Sequence, residues 1–256
     1  MVKIHEALNE YEKILSKKGY TVAGIFLYGS QNYHMETEVS DIDVIAAVLP
    51  DYMQFAYNDL PNEKIRTETG EIKVKDLRLF AKELLKGCYS TLETLISPYS
   101  KWTTSSMPTV LIEDILNYDL SKTFRSCLGT MTNMKQTILY GKKDRRGQLK
   151  EVVRIKHLHQ FCDNLYKRRA EYFTKESFLE LLDGSSLREW KKKEPDSLTE
   201  ADWQAIKDDI KREDSDILNK YRNFSSITTE SKQRDTEKQL AKWVTQMNIL
   251  HIGAFG

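Results

Sequence analysis

The chain has 256 residues, 40% of them hydrophobic, and carries 39 lysines and arginines against 38 aspartates and glutamates. That length supports one large core or two modest ones, and the balanced charge lacks the basic field of a dedicated nucleic-acid binder. Cys88, Cys127 and Cys162 are scattered and odd in number, which excludes a zinc ribbon or disulfide scaffold and fits a reducing cytoplasm. No apolar run reaches eighteen residues and no basic-then-apolar leader opens the chain, so the expectation is a cytoplasmic protein with no membrane span.

Ile4, Leu8, Tyr11 and Leu15 recur at helical spacing, and Gly19 follows where a helix end wants a left-handed residue, so the chain is predicted to open on a helix. Thr21 to Tyr28 is an apolar run rich in branched and aromatic residues that ends on Gly29-Ser30, the pattern of a strand. Ile42 to Val48, closed by Pro50, suits a central strand buried on both faces. Glu71 to Lys75 alternates charged and branched residues after the turn-like Glu68-Thr69-Gly70, which predicts a strand with one wet face.

From Asp76 the period changes. Leu77, Phe80, Ala81, Leu84 and Leu85 form a helical stripe, with Asp76 as cap and Gly87 as stop, and a shorter helix follows through Leu92, Leu95 and Ile96 before Pro98. Beyond about residue 118 only helical stripes remain, with breaks near Gly141, Gly147, Gly184 and Pro195. Thr199 and Asp202 form a capping-box pattern, and Leu240, Trp243, Val244 and Met247 make the core face of a last helix. The expected fold class is therefore α+β: a small mixed β-sheet with flanking helices over residues 1–118, then an all-helical C-terminal lobe over residues 119–256. Lys191-Lys192-Lys193 reads as a solvated helix face.

The chemistry-bearing stretch is Leu27-Tyr28-Gly29-Ser30, then ten residues, then Asp41-Ile42-Asp43-Val44. A glycine where the chain leaves a strand lets backbone N–H groups come close to phosphate oxygens, and Ser30 adds a hydroxyl. In extended chain, residues two apart point the same way, so Asp41 and Asp43 set two carboxylates side by side while Ile42 and Val44 pack behind them. Such a pair repels itself unless cations are present. Magnesium takes hard oxygen ligands and leaves positions for water and phosphates, and two ions about 4 Å apart suit an in-line displacement. Each half-motif alone is also an ordinary turn; together, ending one strand and opening the next, they account for an otherwise costly buried acidic pair.

With those residues in view, the chain resembles the nucleotidyltransferase superfamily of DNA polymerase β, whose signature is Gly-Ser after a strand followed by Asp-x-Asp. The spacing is similar to that of minimal nucleotidyltransferases, and Gly29-Ser30-Gln31-Asn32-Tyr33 resembles a bacterial and phage-borne branch of predicted members. Weaker likeness extends through Asp76 to Phe80, Leu84 to Gly87, Leu92-Glu93 and the region from Arg154 to Gln160, about residues 20 to 165 in all. The resemblance implies that Gly29 and Ser30 hold the triphosphate of an NTP, with ATP the first expectation, that Asp41 and Asp43 bind two Mg²⁺ ions, and that an NMP group passes to a hydroxyl acceptor with release of pyrophosphate. The chain departs from relatives at His34, where glycine is frequent; His34 reads as a loop residue rather than a catalyst.

The family's third carboxylate, a metal ligand and general base, is assigned here to Glu71, with Asp76 as rival although a helix cap is the readier role for it. Lys150, Arg154 and His157, at i, i+4 and i+7, share one helix face and suit a phosphate clamp as well as they suit a solvated face. Tyr89, Tyr99 and Trp102 suit either a base-stacking wall or packing at a lobe boundary. The acceptor is a protein, an RNA or a small hydroxylated molecule, and the sequence does not choose among them. The competing reading is a catalytically inactive module that keeps the fold to bind nucleotide or a partner protein.

Overall fold

The computed structural model describes residues 2–37, 40–140, 143–225 and 227–253. Helix α1 (Val2–Lys17) precedes β1 (Thr21–Leu27), β2 (Val44–Leu49), α2 (Tyr52–Ala56), β3 (Asn62–Arg66), β4 (Glu71–Asp76), α3 (Leu77–Leu85), α4 (Tyr89–Ile96) and β5 (Ser100–Trp102). The described residues beyond β5 form helical elements only: α5 (Thr109–Leu116), α6 (Leu120–Leu139), α7 (Arg145–Lys167), α8 (Lys175–Leu181), α9 (Arg188–Lys192), α10 (Glu200–Arg222) and α11 (Glu230–Gly253), with 3-10 turns at Ser185–Leu187 and Pro195–Ser197. The fold is α+β and mostly helical, built on one mixed five-stranded sheet.

The strand order is β3-β4-β2-β1-β5, with β2 and β4 parallel and the other neighbours antiparallel. Every residue of β2 is buried, as a continuous apolar run in the middle of a two-sided sheet requires. Alternation then sorts the side chains into two cores. Ile25, Leu27, Val44, Ala46, Val48, Ile72 and Val74 pack against Ile4, Leu8, Tyr11 and Leu15 of α1. Phe26, Tyr28, Ile45 and Ala47, on the other face, join a cluster that runs through α3, α4 and the later helices to Met247.

Several boundaries differ from the sequence reading. Strand β2 starts at Val44, so Ile42 and Asp43 precede it. The residue 71/73/75 face of β4 is not a wet face. Lys75 is buried and ion-paired with Glu83 of α3, and Lys73 lies over the Tyr28 ring. The sheet is covered there by helices whose placement β4's own alternation does not encode. Gly147 does not break a helix; it lies in the first turn of α7, where its N–H donates to the Asp144 side chain at 2.7 Å. Gly141 lies outside the described residues.

Asp76 caps α3 by accepting from the Arg78 N–H, the Thr199–Asp202 box caps α10, and Leu240, Trp243, Val244 and Met247 are buried, all as the pattern requires.

Candidate functional site

The antiparallel pairing of β1 and β2 brings the two halves of the motif together. Leu27 is in register with Val44, and the Tyr28 N–H donates to the Asp43 carbonyl at 3.0 Å. The Gly29 turn therefore leaves the sheet beside the segment Asp41–Asp43 that enters it. Strand β4 runs parallel to β2, so its first residue comes to the same end, and the Glu71 N–H donates to Asp43 Oδ1 at 3.1 Å.

Both segments are rigidly held. Gly29 has φ +86°, the left-handed region that costs other residues dearly, and after it the Asn32 N–H returns to the Gly29 carbonyl while the Tyr33 and Met35 N–H groups return to that of Ser30. Asn32 locks the turn from below: its amide donates to the Leu27 carbonyl at 2.7 Å and accepts from the Ser97 hydroxyl at 2.8 Å. Between the two aspartates, the Ile42 N–H donates to the Thr69 carbonyl and the Ile42 carbonyl accepts from the Tyr11 hydroxyl, each at 2.9 Å. Gly70 presses against this strut so closely that a Cβ would lie 2.2 Å from the Ile42 oxygen.

Electrostatics at this end of the sheet favour an incoming cation. Burial pushes the Asp43 carboxyl up from its ordinary value; the Glu71 N–H works against this, and the negative charges of Asp41 and Glu71 add to it. Asp41 is exposed, whereas Asp43 and Glu71 are partly buried. Glu71 also pairs with Lys64 at 3.3 Å. Lys73, 4.2 Å from the Tyr28 ring centroid, is held below its usual value by burial first and by Lys64 next. Among the described residues no group of three or more His, Cys, Asp or Glu side chains is gathered as a ready-made metal cage. The donors nonetheless fit magnesium, because Asp41 and Asp43 offer hard oxygens at an open edge and that ion characteristically completes its shell with water and phosphate.

The helical part brings basic side chains to this end of the sheet. Lys191 of α9 donates to the Ser40 hydroxyl at 2.9 Å; burial and then Lys150 push its ammonium down, and Glu36, Asp41 and Asp43 pull it back. The solvated-face reading of the 191–193 cluster thus fails at Lys191, while Lys192 and Lys193 are exposed. Arg154 is exposed on α7 and lies within electrostatic reach of Tyr28, Lys73 and Glu93. Lys150, one turn earlier, is exposed and acts on Lys191.

The remaining sequence candidates do other work. His157 does not share the clamp: it is buried, bonds the Leu182 carbonyl through Nε2 at 2.8 Å and stacks 4.3 Å from Tyr33. His34 is an exposed loop residue at φ +56° bonded to Asp183 at 3.2 Å. Tyr89 packs on Phe161, Trp102 sits between Phe26 and Trp243, and Tyr99 meets His5 edge-on. Asp76 is fully buried against Arg78 at the far end of β4, about 16 Å along the strand from Glu71. That separation takes it away from Asp43.

Sequence reasoning missed three contributors. Lys191 carried no signal beyond its charge run. Glu93 sits in the apolar stripe of α4, and a carboxylate inside such a stripe is itself a signal of a special site. Gly70 was read only as a turn. No protein-family model matches the chain, and no curated protein matches it either.

Proposed function

We propose that this chain is a magnesium-dependent nucleotidyltransferase that moves an NMP group, AMP in the first instance, from an NTP to a hydroxyl acceptor on a protein, an RNA or a small molecule. The observation that carries the proposal is the adjacency of the Gly29–Ser30 turn to the Asp41–Asp43 segment, fixed by the Tyr28-to-Asp43 backbone bond and by Glu71 at the same end of β4. A triphosphate tail needs close backbone approach and cations; the left-handed Gly29 turn supports the first, and Asp41 and Asp43 beside it would hold the second.

In this reading the Gly29–Ser30 turn grips the triphosphate, and Asp41 and Asp43 hold Mg²⁺. Bound there, the ion supplies the positive charge that steadies phosphate oxygens during in-line displacement. Lys191, Lys150 and Arg154 add cationic contacts from the helical part. The acceptor oxygen bonds to the α-phosphorus, the bond from that phosphorus to the pyrophosphate oxygen breaks, and Glu71 takes the hydroxyl proton. Acceptor choice is assigned in this reading to the helical part, since the Gly-Ser and Asp-x-Asp motif specifies none.

Calorimetry of ATP binding with and without magnesium tests the first half of the proposal: binding should depend on magnesium in the wild type and lose that dependence in Asp43→Asn. Incubation with each α-labelled NTP and a lysate tests the second half: label should pass to an acceptor as pyrophosphate appears. Magnesium-independent or absent ATP binding overturns the reading. Magnesium-linked binding without transfer to any acceptor class replaces it with a nucleotide-binding module.

A further inference from the structure

The loop that joins the two halves of the motif is held by a strap from the helical part. The Gly184 N–H donates to the Tyr33 carbonyl at 2.8 Å, and Asp183 meets His34 at 3.2 Å. Gly184 is pressed so close that a Cβ would lie 2.7 Å from Met35 Cγ and Sδ. Arg188 then takes Glu36 twice: its Nε donates to the backbone carbonyl at 3.1 Å and its Nη2 to the carboxylate. One turn later in α9, Lys191 donates to the Ser40 hydroxyl at 2.9 Å. The strap, residues 183–191, is itself braced on α7, where the Gln160 side chain donates to the Asp183 carbonyl at 3.0 Å and accepts from the Ser186 hydroxyl at 3.2 Å.

The two aspartates are therefore placed by different parts of the molecule. Asp43 is fixed by the sheet, through the Tyr28 N–H on its carbonyl and the Glu71 N–H on Oδ1. Asp41 is exposed, and its place follows from its chain neighbours. Ile42 is tied to Thr69 and to Tyr11 of α1. Ser40 is tied to Lys191 and to Thr37, whose N–H donates to the Ser40 hydroxyl oxygen at 2.8 Å. Glu36, next to Thr37, has its Oε2 buried without a hydrogen-bond partner, so among the described residues the Arg188 guanidinium is what holds this carboxylate.

We propose that Arg188 is a positioning residue for the metal site: by pinning Glu36 it fixes Thr37 and Ser40, and with them the point from which Asp41 leaves the loop, so that the Asp41 carboxylate is presented to an ion shared with Asp43. This rests on the reading of Asp41 and Asp43 as magnesium ligands above. A ligand held in place beforehand loses no loop or side-chain freedom when the ion binds. Arginine suits the task because its planar fork donates to a carbonyl and a carboxylate at once, which an ammonium does less well.

The experiment titrates magnesium at fixed ATP in calorimetry for wild type, Arg188→Ala, Arg188→Lys and the double variant Arg188→Ala/Glu36→Ala, with amide hydrogen exchange at Thr37, Ser40, Tyr28 and Glu71. Arg188→Ala should need about tenfold more magnesium for half-saturation, the lower end for losing a group that orients a metal ligand. Arg188→Lys keeps the charge and one of the two bonds, so it should need about threefold more. The double variant should be no weaker than Arg188→Ala, since Glu36 acts through Arg188. Exchange should quicken at Thr37 and Ser40 and stay as in wild type at Tyr28 and Glu71, whose acceptors belong to Asp43. Wild-type magnesium dependence in a folded Arg188→Ala overturns the proposal, as does exchange that quickens equally at all four amides, which marks a merely structural role. If Arg188→Ala does not fold, Arg188→Lys decides by the same two readouts. A wild type without magnesium-linked ATP binding overturns the nucleotidyltransferase reading and the role of Arg188 together; normal wild-type binding with unaffected variants removes Arg188 alone.

Discussion

The first peptide N–H of β4, that of Glu71, donates to Asp43 Oδ1 at 3.1 Å, so the start of one strand orients the carboxylate at the start of its parallel neighbour. This bond holds Asp43 against the repulsion of Asp41 and of the Glu71 side chain. Burial first, and then the two neighbouring carboxylates, penalise the Asp43 charge, Lys73 offsets part of that penalty, and a divalent cation bound there would offset more.

Replacing Asp43 by asparagine separates the two roles. The amide oxygen of the asparagine can still accept from the Glu71 N–H, while the repulsion disappears, so Tm should rise slightly as magnesium affinity falls at least roughly tenfold to hundredfold. Thermal unfolding and calorimetry on the same sample check this. A variant that loses stability along with magnesium response contradicts this account of the Asp43 charge.

Asp76 should behave in the opposite manner. It is fully buried, caps α3 through the Arg78 N–H at 2.7 Å, and takes the Arg78 guanidinium at 2.8 and 2.9 Å. Asp76→Ala leaves Arg78 largely buried without its counter-charge and should cost about 3–5 kcal/mol of unfolding free energy, with Mg·ATP affinity unchanged in the folded fraction. Urea titration reads the first effect and calorimetry the second; lost magnesium response in a stable Asp76→Ala would make Asp76 the third carboxylate after all.

The legible parts of this fold were those in which local chemistry and tertiary role agree. Thr21 to Leu27, Glu71 to Lys75 and the capped helices from Asp76 and Thr199 follow from alternation, caps and left-handed glycines. Strand β3, Asn-Glu-Lys-Ile-Arg, is an edge strand exposed at four of five positions, and β5 has three residues, so neither has a face apolar or long enough to announce itself. The site divides along the same line. Gly29, Ser30, Asp41 and Asp43 are visible because they are close in sequence. Lys191 reaches them from a helix about 150 residues away in sequence, where only the folded chain reveals the approach.

His157 gives a pH prediction with a fixed sign. Burial lowers its imidazole to about 4, so the folded protein stays unprotonated there while the unfolded chain takes up a proton from about pH 6.5 downward. Stability attributable to His157 is therefore present above about pH 6.5 and lost on acidification through that window, by roughly 2–3 kcal/mol at pH 4.5. For His159, burial lowers the pKa, but the bonds to Asp214 and Glu213 outweigh it and leave the value raised. Its contribution is full on the acid side and lost as pH rises through that raised value. Urea unfolding between about pH 7 and 4.5 should thus give a shallower loss in His157→Gln than in wild type, and parallel curves would refute the assignment.

Lys191 and Lys150 present two like charges to one another, with Lys191 half-buried and tied to Ser40 next to Asp41. Two ammonium groups within electrostatic reach of one another gain from an anion that joins both, and the triphosphate of the proposed reaction would be such an anion. Lys191→Ala should weaken Mg·ATP binding roughly tenfold to hundredfold, the range for a charge-assisted phosphate contact, and reduce the salt sensitivity of binding. Lys192 is the matched control, since it is exposed and paired with Glu189 at 2.9 Å, and Lys192→Ala should bind as wild type does. Equal effects from the two substitutions would mean that α9 supplies only a diffuse positive field, and that the direct contact argued from the Ser40 bond does not exist.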